Sequence, residues 1–322
     1  MGGLRYFVRR FVGLFPALAM ILIATFSVVH FAPGDPAGVL AGEYADTATI
    51  ADVRRQLGLD QSLMTQMGNY AASLAAGDLG NSFYFGRPVT EIIAERLPAT
   101  LLLTATALAL SIVIGIALGR ASARRPGSAF DSGVMTATLV GYAIPGFWLG
   151  QIAVIIVGLR LDLLPVLGMT DTRIVYTGWA YVADVAKHLI LPAGVLAVSE
   201  ITLVTRLTSK GLQRQMKLDY ARSAKARGVA AESVIGRHAF PNAALPLVTV
   251  IGARVGFLFS GAVVVETVFS WPGIGLLLRD AANAGDRPLV LGLVLLVSIS
   301  VLFANLATDL LYAQIDPRIR LR

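Results

Sequence analysis

The sequence predicts an all-α membrane protein with about six transmembrane helices, an expectation that rests on composition, on apolar runs and on the placement of positive charge. Of its 322 residues 56% are hydrophobic and only 15% are charged, and the mean hydropathy is +0.70. Ordinary soluble domains carry roughly 25% charged residues, so a water-soluble fold does not fit. The apolar residues gather into six runs, 11–31, 99–119, 134–159, 189–205, 243–265 and 289–308. Each approaches the roughly 20 residues of helix that a hydrocarbon core requires. The alternate loops 1–10, 120–133, 206–242 and 309–322 hold 17 Lys and Arg, whereas 32–98, 160–187 and 266–288 hold 9. Positive residues are retained in the cytoplasm, so both termini and the 206–242 loop are expected there, on a multi-pass protein of the cell membrane.

The first run follows Arg5, Arg9 and Arg10 and is long, with no small-x-small cleavage site before Pro33, so segment 1–31 is read as a cytoplasmic terminus and an uncleaved first span. Residues 32–98 form an external segment too long for a simple connection. It contains the turn signal Pro33-Gly34-Asp35-Pro36 and a helical stretch near Asp52 to Leu74, which together suggest a small folded cap. Its acidic residues, among them Asp35, Glu43 and Asp46, outnumber its arginines, leaving either a mildly acidic docking surface or a solvated loop. The segment 99–322 carries the other five spans. The fourth is the weakest, because Pro192 and Glu200 interrupt its apolar character, so it must be buried among the others. Pro145 and Pro246 pose the same problem less severely in the third and fifth.

The net charge of +7 would suit a nucleic-acid binder, but the basic residues sit between apolar runs rather than on one polar face. With no cysteine there is no thiol nucleophile or thiolate metal site, and His30, His188 and His238 lie far apart. The sequence contains no Gly-x-x-x-x-Gly-Lys-Ser/Thr loop, no His-Glu-x-x-His pair and no Gly-x-Ser-x-Gly elbow. No catalytic residue, metal ligand or cofactor is therefore assigned to this chain, and any nucleotide must bind elsewhere. Two charges fall inside spans, Glu200 and Arg254. Such groups either line a path or pair with one another to satisfy packing. Gly252, Gly256 and Gly261 on the fifth span favour close helix contact.

The longest basic loop reads KGLQRQMKLDYARSAKARGVAAESVIGRHAFPN over 210–242. Asp219 can cap a helix to Arg227, Gly228 can take the left-handed conformation that ends it, and a second short helix can run from about Ala230 until Pro241 stops it. Helices this short are not stable alone in water, so both must pack against something. Ala221, Ala224, Ala226 and Gly228 would let another surface approach closely, which favours a protein partner. The alternative, an amphipathic helix held on anionic lipid by Arg222, Lys225, Arg227 and Arg237, lacks the bulky apolar face such helices use.

This loop resembles the cytoplasmic loop of ABC-importer permeases, in which a glycine is followed at fixed spacing by a hydrophobic-proline pair, here Gly228 and then Phe240-Pro241. Its Ala-Arg-Ser-Ala-Lys-Ala-Arg-Gly wording is similar to the peptide and nickel import branch, and Arg222 stands where many sugar-importer permeases carry glutamate. The resemblance continues through Leu57-Gly58-Leu59-Asp60, Gly77-Asp78-Leu79-Gly80, Arg96-Leu97-Pro98-Ala99-Thr100, Glu266-Thr267-Val268-Phe269, Pro272-Gly273-Ile274-Gly275 and Asp316-Pro317-Arg318-Ile319-Arg320. It implies the type I importer permease fold and a first-subunit permease for di- or oligopeptides, paired with a second permease, two ATPases that bind ATP and Mg, and an external substrate-binding protein. It further implies that Ala221 to Arg237 forms the coupling helix against the ATPase, and that Glu266 lies near the external gate. The rival reading is a secondary transporter or channel, for which intramembrane carboxylate relays or inverted repeats would be expected.

Overall fold

The computed structural model describes residues 11–31, 36–42 and 45–315. Arg5, Arg9 and Arg10, the Pro33-Gly34-Asp35 turn, Glu43 and the tail from Asp316 lie outside the described residues. Among those described, the secondary structure is helical apart from an isolated bridge between Asn81 and Pro88. The helices are α1 (Leu14–Phe31), α2 (Pro36–Ala41), α3 (Thr47–Gln56), α4 (Leu63–Ala75), α5 (Val89–Arg124), α6 (Ala129–Ala143), α7 (Gly146–Ala153), α8 (Gly178–Gln215), α9 (Asp219–Ala226), α10 (Ala231–Ser233), α11 (Phe240–Phe269), α12 (Ile274–Asn283) and α13 (Arg287–Ile315). Wider π-helical turns extend α7 over Val154–Arg160 and join α10 to α11 over Val234–Ala239.

Among the described residues, three helices are long and apolar enough to cross a bilayer on their own: α5, α8 and the Arg287–Leu306 part of α13. The centre of the fold is the pair α5 and α8, and the sequence of α5 explains why. Residues at every fourth position from Ala99 through Leu103, Ala107, Ser111, Gly115 and Gly119 to Ala123 are buried, forming one continuous ridge of mostly small side chains. A Cβ on Gly115 would lie 2.6 Å from the Val204 Cβ, and one on Gly119 would lie 2.6 Å from the Thr208 Cβ and 2.7 Å from the Thr205 carbonyl. Lipid offers apolar side chains nothing they lack elsewhere, so close backbone approach of this kind supplies the packing energy inside a membrane. Gly252 and Gly261 serve the same purpose on α11, against Thr308 of α13 and Leu196 of α8. The surroundings of Gly256 lie outside the described residues.

One sequence expectation holds here and one changes. The fourth span, least apolar of the six and therefore expected to be buried among the others, is the most enclosed: 67% of its most apolar window is buried, against 28% for α5 and 22% for α13. Its low hydropathy reflects contact with protein rather than lipid, since Thr202 donates to the Thr138 carbonyl at 2.6 Å and Ser209 pairs with Ser122 at 3.0 Å. The third span is not one helix. It breaks at Ile144-Pro145, and α6 meets the α7 segment at 99°. Proline removes a backbone donor and forces the preceding residue into extended geometry, which Ile144 adopts.

Between α1 and α5, α3 and α4 are capped by Asp46 and Ser62, and neither buries any of its residues. The loop after α7 is pinned at two points, where the Gly168 amide donates to the Phe269 carbonyl at 2.9 Å and the Asp171 amide to Asp184 Oδ2 at 2.8 Å. The Arg173 guanidinium, bonded to both oxygens of Asp171, helps hold that carboxyl down at about 2.

Candidate functional site

The basic loop is an ordered unit built on the ends of α5 and α8. Helix α9 begins at Asp219, but Leu218 is its cap residue and no side chain caps it, so Asp219 acts only as a first-turn negative charge at the positive end of the helix. Its end follows the sequence expectation. Gly228 has φ of +83°, its amide donates to the Lys225 carbonyl at 2.9 Å, and the Val229 amide donates to the Ala224 carbonyl at 3.2 Å. These two bonds are the Schellman pattern, and Val229 completes it by packing on the same side as Ala224.

Two of the small residues of α9 face inward. Ala221 and Ala224 are buried and cluster with Val234, so the surface that approaches their backbone is the chain's own π-helical turn. Facing outward and exposed are Tyr220, Arg222, Ser223, Lys225, Ala226, Arg227 and Gly228. Arg237 and Pro241 are exposed farther along. Pro241 does not stop a helix as expected; it occupies the first turn of α11, where a missing amide costs nothing, and the chain continues helical to Phe269.

The loop is fastened from beneath. Ile235, Ala239 and Ala243 pack with Ala123 of α5 and Leu212 of α8. Glu232 accepts from Arg124 at 2.6 Å and Arg120 at 3.2 Å, and the Arg120 guanidinium lies 5.6 Å from the Phe240 ring centre. Beside this, Asp131 accepts from the Ser122 hydroxyl and from the Gly127 amide, tying the start of α6 to α5. Through Val234, α9 thus rests on a turn that is itself packed against the ends of α5 and α8.

In the membrane, Glu200 is buried and its Oε2 lies 4.0 Å from Nε of the half-buried Arg254, so the structure brings the two intramembrane charges together. Glu266 stands elsewhere. It is fully buried at the end of α11, where it accepts from the Thr100 hydroxyl at 2.6 Å, the Gly275 amide at 2.6 Å and the Leu276 amide at 3.1 Å. Thr100 in turn accepts from the Ile274 amide at 2.8 Å. The carboxylate thus caps α12, which turns back at 80° from the end of α11. Ser270 takes φ of +50° at this turn, and the buried Trp271 donates its indole N–H to the Ala99 carbonyl at 2.9 Å. A Cβ on Gly275 would lie 2.4 Å from the Val263 Cα, so the hairpin closes only on glycine. Sequence reasoning placed Glu266 at this end but missed the hairpin; the Ser270-Trp271-Pro272-Gly273 punctuation was its signal.

Comparison with known proteins agrees with this architecture. Residues 111–321 match the family described as binding-protein-dependent transport system inner membrane component, and residues 3–104 match the N-terminal membrane component of such systems. The chain is 38% identical over 331 residues to the dipeptide transport system permease protein DppB of Alkalihalophilus pseudofirmus, covering 98% of this chain and 99% of that protein. It is also 38% identical over 317 residues to the glutathione transport system permease protein GsiC of Salmonella typhi, with the same coverage of each. A putative peptide transport system permease protein of Brucella abortus is 38% identical over 305 residues, 95% of each chain. Among solved structures, an inward-facing MetNI methionine ABC transporter superposes with a TM-score of 0.56 at 15% identity, covering 70% of this chain and 96% of that one, which shows a shared fold. The chain accordingly belongs to the inner membrane permease components of binding-protein-dependent ABC transport systems.

Proposed function

We propose that this permease forms, with a second homologous permease, the pore through which a di- or oligopeptide or a similar small solute enters the cell. The solute is delivered by an extracytoplasmic substrate-binding protein, and two ATPase subunits that bind ATP and Mg drive the cycle. Both termini and the 206–242 loop lie in the cytoplasm, as the asymmetry of 17 against 9 basic residues supports. The observation that carries the reading is the loop itself, a prefolded helix with an exposed basic face whose buried face rests on the π-helical turn that packs against α5 and α8. Tyr220, Arg222, Lys225 and Arg227 meet the ATPase, while Ala221, Ala224, Gly228 and Pro241 shape the helix that presents them. Closure of the ATPase pair pushes α9, and the two long helices move as a lever between inward-facing and outward-facing states. Glu200 and Arg254 border the path, and Glu266 serves the external gate by holding α12 in place. The relatives named for dipeptides, peptides and glutathione support an amide-bearing solute.

Docking is tested by co-purification from membranes containing all the subunits. Reversing Arg222 and Lys225 together to Glu is expected to lose the ATPases while retaining the second permease. Full retention of the ATPases would overturn the assignment of this face. A secondary transporter or channel would bring down no ATPase even with the unaltered chain.

A further inference from the structure

The break between α6 and α7 opens onto a cavity of about 370 Å³ whose remaining walls are α8 and α11. Tyr142 and Phe147 flank the break, Val195 and Ser199 come from α8, and Gly261 and Val264 from α11. The lining is mostly apolar, but lipid is a poor occupant for two reasons. First, the chain leaves helical geometry at Ile144-Pro145 in the middle of the apolar run 134–159, and no side chain caps the start of α7. Irregular backbone at membrane depth is tolerated only where protein covers it or water reaches it, because hydrocarbon offers unpaired backbone groups no hydrogen-bond partner. Second, the two walls lead directly to a pair of opposite charges. Glu200 lies one helical turn beyond Leu196 on α8, and Arg254 lies two turns before Gly261 on α11, both in the direction of the cytoplasmic loop. The exposed hydroxyls of Tyr142 and Ser199 add polar groups at the mouth.

We infer that this cavity is a holding station on the translocation path, in which the apolar side chain of a short zwitterionic peptide occupies the space at the break while a charged terminus of the same peptide meets the Glu200–Arg254 pair below. This rests on the importer reading above and adds to it the place where the solute pauses and the side-chain chemistry it favours. The volume lies at the lower end of the roughly 300–1,000 Å³ of small-molecule sites, room for a large apolar side chain together with part of the short peptide that carries it.

The chain has no cysteine, so single cysteines can be introduced without removing any. The complete complex, with its second permease and ATPases in proteoliposomes, is exposed on both sides to a membrane-impermeant maleimide. Ser199→Cys is compared with Val113→Cys, which lies exposed on α5. The expected result is labelling of Ser199→Cys at least tenfold faster than of Val113→Cys, slowed at least fivefold by saturating leucyl-alanine. Equal rates would mean that lipid or the second permease fills the cavity, and labelling insensitive to the dipeptide would mean a watery space that holds no solute; either overturns the inference. In the same vesicles, Ser199→Trp is expected to lower uptake of dipeptides with large apolar side chains at least tenfold more than uptake of dialanine. Equal effects on both would contradict the side-chain assignment. Absence of ATP-driven dipeptide uptake by the unaltered complex, with the labelling pattern intact, would instead defeat the importer reading.

Discussion

Replacing Glu266 should loosen the outer hairpin in a graded way that the geometry allows to be sized. Three donors converge on this carboxylate from two other elements, at 2.6, 2.6 and 3.1 Å. Removing an acceptor and leaving a buried donor unpaired costs about 1–3 kcal/mol per group. Hydrogen bonds inside membrane proteins often measure less, about 0.6 kcal/mol on average and 1.7 at most, because the unfolded chain also finds partners. Glu266→Ala strands all three donors, and the two scales bracket its cost between about 2 and 9 kcal/mol. Glu266→Gln keeps one oxygen that can still accept from the Gly275 and Leu276 amides, and its NH₂ turns toward Thr100, which already accepts from Ile274. Losing one charge-assisted bond and weakening two others should cost about 2–3 kcal/mol. The order Ala worse than Gln worse than unaltered protein can be read from SDS-induced unfolding in mixed micelles. A Glu266→Ala protein within about 0.5 kcal/mol of the unaltered one would refute the capping role.

Further outcomes follow from the other contacts. Gly119→Val should weaken the α5–α8 pair by at least about 1–3 kcal/mol of overpacking, because the Thr205 carbonyl at 2.7 Å from the new Cβ cannot rotate away; unchanged unfolding would refute the packing described. Gly228→Val forces a branched residue to φ of +83° at a cost of about 1–2 kcal/mol, and should reduce ATPase co-purification without removing the second permease. Neutralising Glu200 or Arg254 singly, to Gln, should lower uptake with normal complex assembly, and unchanged uptake would eliminate their role in the path.

What could be seen in advance was set by local chemistry. Gly228 was legible because glycine takes the left-handed conformation that ends a helix without Cβ strain, and the long apolar helices announced themselves through composition. Less visible was anything decided by contact between distant segments. The burial of α8 could be read from Pro192 and Glu200, but its neighbours could not, because nothing local says that Thr202 bonds to α6 and Ser209 to α5. Pro145 was visible as an interruption, yet a 99° turn rather than a kink depends on the space that α8 and α11 leave beside it. Pro241 looked like a terminator because the π-helical turn ahead of it, which delivers it to a first helical turn, has no local signature. The inward aim of Ala221 and Ala224 required knowing that Val234 folds back onto them.

The most direct test of the proposed role is solute uptake by the reconstituted complex of this chain, a second permease, two ATPases and the substrate-binding protein. Labelled dipeptide should accumulate in proteoliposomes only with ATP-Mg on the ATPase side and the binding protein on the other. Reversing Arg222 and Lys225 to Glu should reduce accumulation at least tenfold. Accumulation driven by an ion gradient without ATP, or unaffected by that reversal, would contradict a pore worked through α9.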